Sequence, residues 1–462
     1  MDKETDEGFG PFADFTLGLA FDSLSEDVVV KAEELLLDTL GIAAAATATD
    51  AGRIAAEMAA TQFCAGPGAP GARLIFGGRV LSPAGAAYAG ASTIDNLDGH
   101  DGYAPAKGHI SVATVPALFA LAEAAGRVNG REALTALVLG WEVASRAGLA
   151  LHASVADYHT SGAWNALAVA AMGARLLGLD RDGLRQAIGI AEYHGPRSQM
   201  MREIDNPSML HDGSGWGALA GVTAALLAAR GFTGAPAVTI EAPETAAHWS
   251  SLGAEWLTLE QYIKPYPVCR WAHALVDGAL SLRAEHGLTA DMVAAIELRT
   301  FHESARLATD MPRDTARAQY SLPFPVAAAL VRGRVGQDEV LGSGLGDPAI
   351  ERLVDVTTVI EEETYNRRFP AGRWGDVTLV LEDGRRLGSG EVNARGGRDD
   401  PLSRDEIVAK FRDFAEPVIE QSRAKDIEAA VFSLHEPGAD LGALIGLCAE
   451  GPAAEARARM AS

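Results

Sequence analysis

The sequence predicts a mainly α protein, a large all-helical domain joined to a smaller α+β domain. Three observations carry this. Residues from Ser25 to about Phe232 are rich in Ala, Leu and Gly at helical spacing, residues 268–395 bring in β-branched period-two segments, and the remainder returns to a helical pattern. A length of 462 residues suggests two domains on a prior of roughly 100–200 residues each. We therefore expect residues 1–267, completed by 396–462, to form the helical domain, and residues 268–395 to form an α+β lid.

The elements follow in order. "SEDVVVKAEELLLDTLGIAAAA" opens on a Ser25 cap and an acidic first turn, then sets Val28, Ala32, Leu35 and Leu36 on one face. "VATVPALFALAEAAG", "REALTALVLGWEVASRAG", "NALAVAAMGARLLGL" and "WGALAGVTAALLAARG" continue as buried bundle helices. Their small residues, such as Gly217 and Gly221 or Ala166 and Ala170, permit close helix approach. "VAAIELRTF", "VDVTTVIEE" and "DVTLVLEDGRRLGSGEV" alternate as strands, with Asp383-Gly384 at a hairpin turn. "PFPVAAALVRG" and "DPAIERLV" read as helices between them, and "SRDEIVAKFRDFAEPVI" and "AKDIEAAVFSL" as the closing helices.

Composition excludes several function classes. Hydrophobic content of 48% with 22% charged residues is a globular balance, and no stretch gives the ~20 uninterrupted apolar residues of a membrane span. The start, "MDKETDEGFG", lacks a signal-peptide pattern, which predicts a cytoplasmic protein. Cys64, Cys269 and Cys448 form no CxxC pair, against a disulfide framework or a structural zinc site. A formal charge of -23 repels phosphate backbones, so nucleic acid is not an expected partner. Any site for a small anion must then be a local cluster of Arg, Lys or His.

Such a cluster stands at the domain junction. "IKPYPVCRWAH" places Lys264, Tyr266, Cys269, Arg270 and His273 together, in a chain where lysine is scarce. Cys269 reads as a small buried lining residue, since no base is paired with it in the sequence. "DNLDGHDGYAPAKGHIS" gathers Asp95, Asp98, Asp101, His100, His109 and Lys107 in one loop before a helix. Its oxygen and imidazole donors are chemically adequate for a divalent ion, but the spacing matches no defined metal motif and Lys107 competes. Capping of the turn explains Asp95. In "YHTSG", capping explains Thr160 and Ser161, while His159 is presented at the positive end of a helix. "HDGSGWGALAG" meets neither dinucleotide nor P-loop context, and close helix packing accounts for its glycines. His248, His286, His302 and His435 read as surface or capping groups.

With these segments in view, the chain resembles the MmgE/PrpD family over almost its whole length. The likeness rests on "LLLDTLGIAAA", the acidic loop ending in His109, "YHTSG…LLGLD", "GSGWGALAGVTAALLAARGFTGAP", "KPYPVCRWAH" and "AQYSLPFPVAAAL". It implies a helical domain with an α+β lid, a homodimer, and proton chemistry on small polycarboxylates without metal or cofactor. It places Asp98, Asp101 and His109 in the acidic-loop part of the site, His159, Lys264 and His273 opposite, and Tyr320 nearby. The chain departs from the family with "DGHD" and His109-Ile110 in place of paired aspartates and His-Pro. A lysine that several members carry ahead of the glycine-rich helix is also missing, with Ser208 or His211 near its place.

The expected chemistry is removal of a proton from carbon beside a carboxylate. His109 or His159 would take it, Lys264, Arg270 and Lys107 would hold carboxylates, and His273 or Tyr266 would protonate a leaving hydroxyl. Tyr320 and His211 complete the expected substrate-binding set. Elimination by a dehydratase-like lyase is the first expectation, epimerisation of an iminodisuccinate-like acid the second and decarboxylation the third. A non-catalytic binding protein on the same fold is the rival from another class.

Overall fold

The computed structural model describes residues 6–126, 128–454 and 456. The expected architecture is present. The helical part contains α1 (Glu26–Ala46), α2 (Pro83–Asp95), α3 (Ser111–Ala125), α4 (Gly130–Ser154), α5 (Gly162–Leu176), α6 (Arg181–His194) and α7 (Ser214–Ala228). Its only strands among the described residues are the two-residue pair Ala72–Arg73 and Val80–Leu81.

Helix α7 lies centrally, packed on α2, α5 and α6. Glycine makes that approach possible: a Cβ at Gly217 would stand 2.6 Å from the Gly162 carbonyl oxygen, and one at Gly221 would stand 2.6 Å from that of Ala166. Ser25 precedes α1 in extended conformation, but its hydroxyl makes no capping bond. Asp27 instead accepts the Val28 N–H at 3.0 Å.

Helix α4 is the one described helix long and apolar enough to cross a membrane, and 94% of its most apolar window is buried inside the protein. It carries Glu142 and Arg146 one turn apart, both fully buried and ion-paired. Thr258 donates its N–H and hydroxyl to Glu142, while the Glu255 carbonyl accepts from Arg146 at 3.0 Å. The pair therefore fixes the 251–258 segment that leads into the site. Replacing Arg146 with Leu strands a buried carboxylate, so we expect a loss of about 3–5 kcal/mol, read as a lower urea midpoint.

The second part begins with α8 (His273–His286) and contains β1 (Val293–Thr300), α9 (Pro323–Arg332), α10 (Pro348–Asp355), β2 (Thr357–Glu361), β3 (Trp374–Leu381), β4 (Arg386–Gly388) and β5 (Val392–Asn393). The sheet order is β2-β1-β3-β4, with β5 also on β3; β2 and β1 run parallel and the remaining pairs antiparallel. Alternating burial along β3 matches its period-two pattern. Gly384 turns the β3–β4 hairpin at φ 86°, a conformation that favours glycine. Helices α8 and α9 pack together, α8 against β3. Afterwards α11 (Arg404–Ala415) returns to lie along α1, and a Cβ at Gly41 would stand 3.1 Å from Phe411.

Candidate active site

Two backbone hydrogen bonds assemble the centre. Gly102 and Tyr262 exchange N–H···O bonds of 3.1 and 2.9 Å, zipping the loop between α2 and α3 to the segment that carries Lys264. Lys264 is thereby buried against Asp98, donating to its carboxylate and, at 2.9 Å, to its carbonyl. Burial pushes the Asp98 carboxyl above its ordinary range, and the ammonium opposes that shift.

His109 stands just before α3 and is held from several sides. Its N–H donates to Ser161 Oγ at 2.9 Å, and its carbonyl accepts from Asn165 at 3.1 Å. Its Nδ1 lies 2.8 Å from the Asp101 carbonyl, an acceptor only, so the neutral ring carries its proton there. Nε2 then presents a lone pair, 3.3 Å from Asp212 Oδ2 and 3.7 Å from Asp98 Oδ1. Burial, reinforced by the Lys264 charge, holds the His109 pKa well below the ordinary imidazole value. Burial conversely lifts Asp212 to about 6 and Asp101 to about 7. The centre thus sets an imidazole that burial disfavours protonating beside Asp212, a carboxyl whose proton affinity is raised toward the neutral range, while the Asp101 carboxylate turns away to accept the Ser111 N–H at 3.1 Å.

Around this core, His100 meets the His109 ring edge-on at 4.7 Å, and its Nε2 is 3.8 Å from Asp95. Asp95 accepts the Ser214 N–H at 3.1 Å, so it serves the start of α7 and not its own turn. Ser161 also departs from the expected capping role: its hydroxyl donates to Asp212 at 2.9 Å. From the lid, Gln319 acts as a clamp, accepting the Asp98 N–H at 3.1 Å and donating to the Asn96 carbonyl at 2.8 Å.

Other sequence candidates are placed differently. Arg270 donates to the Ala394 and Arg395 carbonyls at 3.0 Å and lies 3.9 Å over the Tyr262 ring, leaving its buried Nε without a partner. Lys107 has a left-handed backbone, φ 58°, and sits 4.3 Å over the Tyr158 ring. Tyr266 donates to Asp277 at 2.7 Å, while His273 Nε2 pairs with the Val268 carbonyl at 2.9 Å. His159 bonds locally, its Nδ1 to the Asp157 carbonyl at 2.9 Å and its N–H to His152 at 3.1 Å. Burial raises Cys269 to about 12, consistent with an inert lining thiol. Among the described residues, no three His, Cys, Asp or Glu side chains are grouped to hold a metal ion.

His211 and Tyr320 do come together, with Nδ1 and Oη 3.3 Å apart. Tyr320 also donates to Glu203. The sequence reading missed Glu203 and Asp212. Asp212 was within the quoted "HDGSGWG", and an acid beside His211 at the head of an apolar helix was the available signal; Glu203 offered none. A cleft of about 970 Å³ opens over this side of the site, lined in part by Thr160, Arg202, Glu203, His211 and Arg306.

The comparison with known families decides the kinship. The MmgE/PrpD N-terminal domain matches residues 10–257, and the MmgE/PrpD C-terminal domain matches residues 266–436. The chain belongs to the MmgE/PrpD family. Its relatives include cis-aconitate decarboxylase of Aspergillus terreus, 25% identical over 464 residues, covering 90% of this chain and 91% of the relative. The cis-aconitate decarboxylase-like protein oryM of Aspergillus oryzae is 26% identical over 418 residues, covering 80% and 83%. The human cis-aconitate decarboxylase is 25% identical over 459 residues, covering 92% and 91%. This MmgE/PrpD membership and these relatives support an enzyme with a lyase-type function. Lys264, which meets Asp98, lies in the stretch between the two matched MmgE/PrpD domains.

Proposed function

We propose that this MmgE/PrpD protein is a metal-independent lyase that moves a proton at carbon next to a carboxylate of a small di- or tricarboxylic acid. The observation that supports it is His109 Nε2 facing Asp98 at 3.7 Å and Asp212 at 3.3 Å beside the buried Lys264, with Nδ1 engaged by the Asp101 carbonyl. His109 takes the carbon-bound proton. Lys264 stabilises the charge that develops on the adjacent carboxylate, a fixed electrostatic contribution of several kcal/mol. The β-hydroxyl then leaves as water, taking a proton from a second acid–base group, which completes a dehydration; return of the proton to the other face would instead complete an epimerisation.

A second reading is decarboxylation, favoured by the names of the relatives. There the carbon that loses CO2 needs a proton. Asp95 and Glu203, lifted well above the ordinary range by burial, are the carboxyls suited to hold one.

Proton NMR in deuterated buffer with methylcitrate, citrate, cis-aconitate, malate and iminodisuccinate distinguishes these outcomes. We expect a new vinyl signal from a hydroxy acid. Loss of CO2 from cis-aconitate would select the second reading, and deuterium wash-in without net loss would select epimerisation. No change with any acid would leave the binding-protein alternative.

The same reading includes a homodimer. Leu210 and Trp216 on the cleft rim are 79% and 52% exposed, apolar area that a second copy would cover. Light scattering is expected to give twice the 48.3 kDa chain mass, and Leu210→Asp with Trp216→Glu is expected to shift it toward the monomer.

A further inference from the structure

We propose that Glu203, Tyr320 and His211 form a proton relay ending at His211 Nε2 in the cleft, which makes His211 a second acid–base group beside His109. The inference rests on the proton-transfer reading above and adds the source of the second proton.

The geometry is a chain of three side chains, each at least 96% buried. Tyr320 Oη contacts Glu203 Oε1 on one side and His211 Nδ1, at 3.3 Å, on the other. A hydroxyl has one proton and can donate to only one neighbour at a time. With Glu203 protonated, its O–H donates to Tyr320, Tyr320 donates to His211 Nδ1, and the neutral imidazole carries its proton on Nε2. With Glu203 ionised, every bond reverses: Tyr320 donates to Glu203, His211 Nδ1–H donates to Tyr320, and Nε2 presents a lone pair. Passage from the first state to the second releases one proton at Nε2, and the charge left behind resides on Glu203. The reverse passage takes up one proton.

One observation aims this chain at a ligand. His211 Nε2 and Glu203 Oε2 are buried without partners, while both residues line the cleft. His211 also holds a left-handed backbone, φ 44°, costly for a residue with a Cβ. The next residue, Asp212, has its carboxylate 3.3 Å from His109 Nε2.

Several groups bias the relay. Burial, with Asp212, Asp95 and Asp98 facing it, favours the protonated form of Glu203, while the Tyr320 hydroxyl opposes this. Burial, aided by the charge of Lys264, lowers the His211 pKa to about 3, which favours its neutral form. Cys269 faces Glu203 and Tyr320, and burial holds it protonated. Arg202, Asp205, Arg306, Asp310 and Arg317 line the cleft outside, where Asp205 pairs with Arg306 and Asp310 with Arg317.

The test combines two readouts. In the NMR assay, Tyr320→Phe is expected to slow product formation by about 10²-fold or more with KM little changed, while deuterium wash-in driven by His109 persists. Glu203→Gln is expected to remove the alkaline limb of the kcat profile. Equal loss of wash-in and product formation in Tyr320→Phe, or an unchanged alkaline limb in Glu203→Gln, overturns the relay. Independently of turnover, ¹⁵N-histidine spectra should show the His211 proton moving from Nε2 to Nδ1 as pH rises, and no such switch in Tyr320→Phe. A tautomer fixed at all pH values in the wild type also overturns it. A protein inert toward every acid but showing the switch would reject the proton-transfer reading and keep the relay.

Discussion

Replacing His109 with Gln is expected to lower turnover by about 10²- to 10⁴-fold, the range for loss of a positioned general base. The fold should persist, because the bonds to Ser161 and Asn165 come from the His109 backbone and survive the substitution. Circular dichroism and the urea midpoint should therefore stay near wild type while deuterium wash-in disappears. The pH dependence follows from the same environment. A base works in its neutral form, and burial with the Lys264 charge keeps His109 neutral well below the ordinary imidazole pKa. Wild-type activity should accordingly hold as pH falls through 6.5, with no acidic limb at that value. A limb at 6.5 that vanishes in His109→Gln would mean a solvated imidazole and would sink this account of the base.

Lys264→Met is expected to act on stability and turnover together. Removing the ammonium leaves Asp98 buried without its counter-charge, a loss of about 3–5 kcal/mol when one partner of a buried pair is deleted. Turnover should fall by about 10²- to 10³-fold as the fixed positive charge disappears. The double variant Lys264→Met with Asp98→Asn separates the two effects. It restores a neutral pair, so stability should recover, while activity should not. Recovery of both would make Lys264 a structural residue and favour a binding protein.

Lys264, Asp98, Asp101 and His109 were legible in the sequence because each stood out chemically: a lysine where lysine is scarce, and acids with histidines in a Gly- and Pro-punctuated loop. The helical bundle and its inserted sheet were legible from period alone. Asp212 was signalled only by its place beside His211, and Glu203, in the short helix Met201–Ile204, not at all, since a single acid acquires meaning only from what tertiary packing places beside it. Ser161 shows the related difficulty. Its position before α5 fits a cap, yet the backbone of His109 and the carboxylate of Asp212 compete for its hydroxyl and win. Arg270 and Lys107 were legible by charge alone; what the sequence did not show is that Arg270 donates to two carbonyls over the Tyr262 ring and that Lys107 lies over the Tyr158 ring.

The Gln319 clamp ties the acidic loop to the lid through both ends of one amide. The loop's shape therefore draws on both parts of the chain, on Tyr262 and Lys264 from one side and on Gln319 from the other. During refolding, helical signal should return before catalytic competence, with the interval set by interdomain assembly. A chain whose bundle has folded but whose α+β part is still loose would hold Lys264 and Asp98 on a common scaffold without the Gln319 bonds to the Asn96–Asp98 stretch, so we expect activity to return only with the whole molecule.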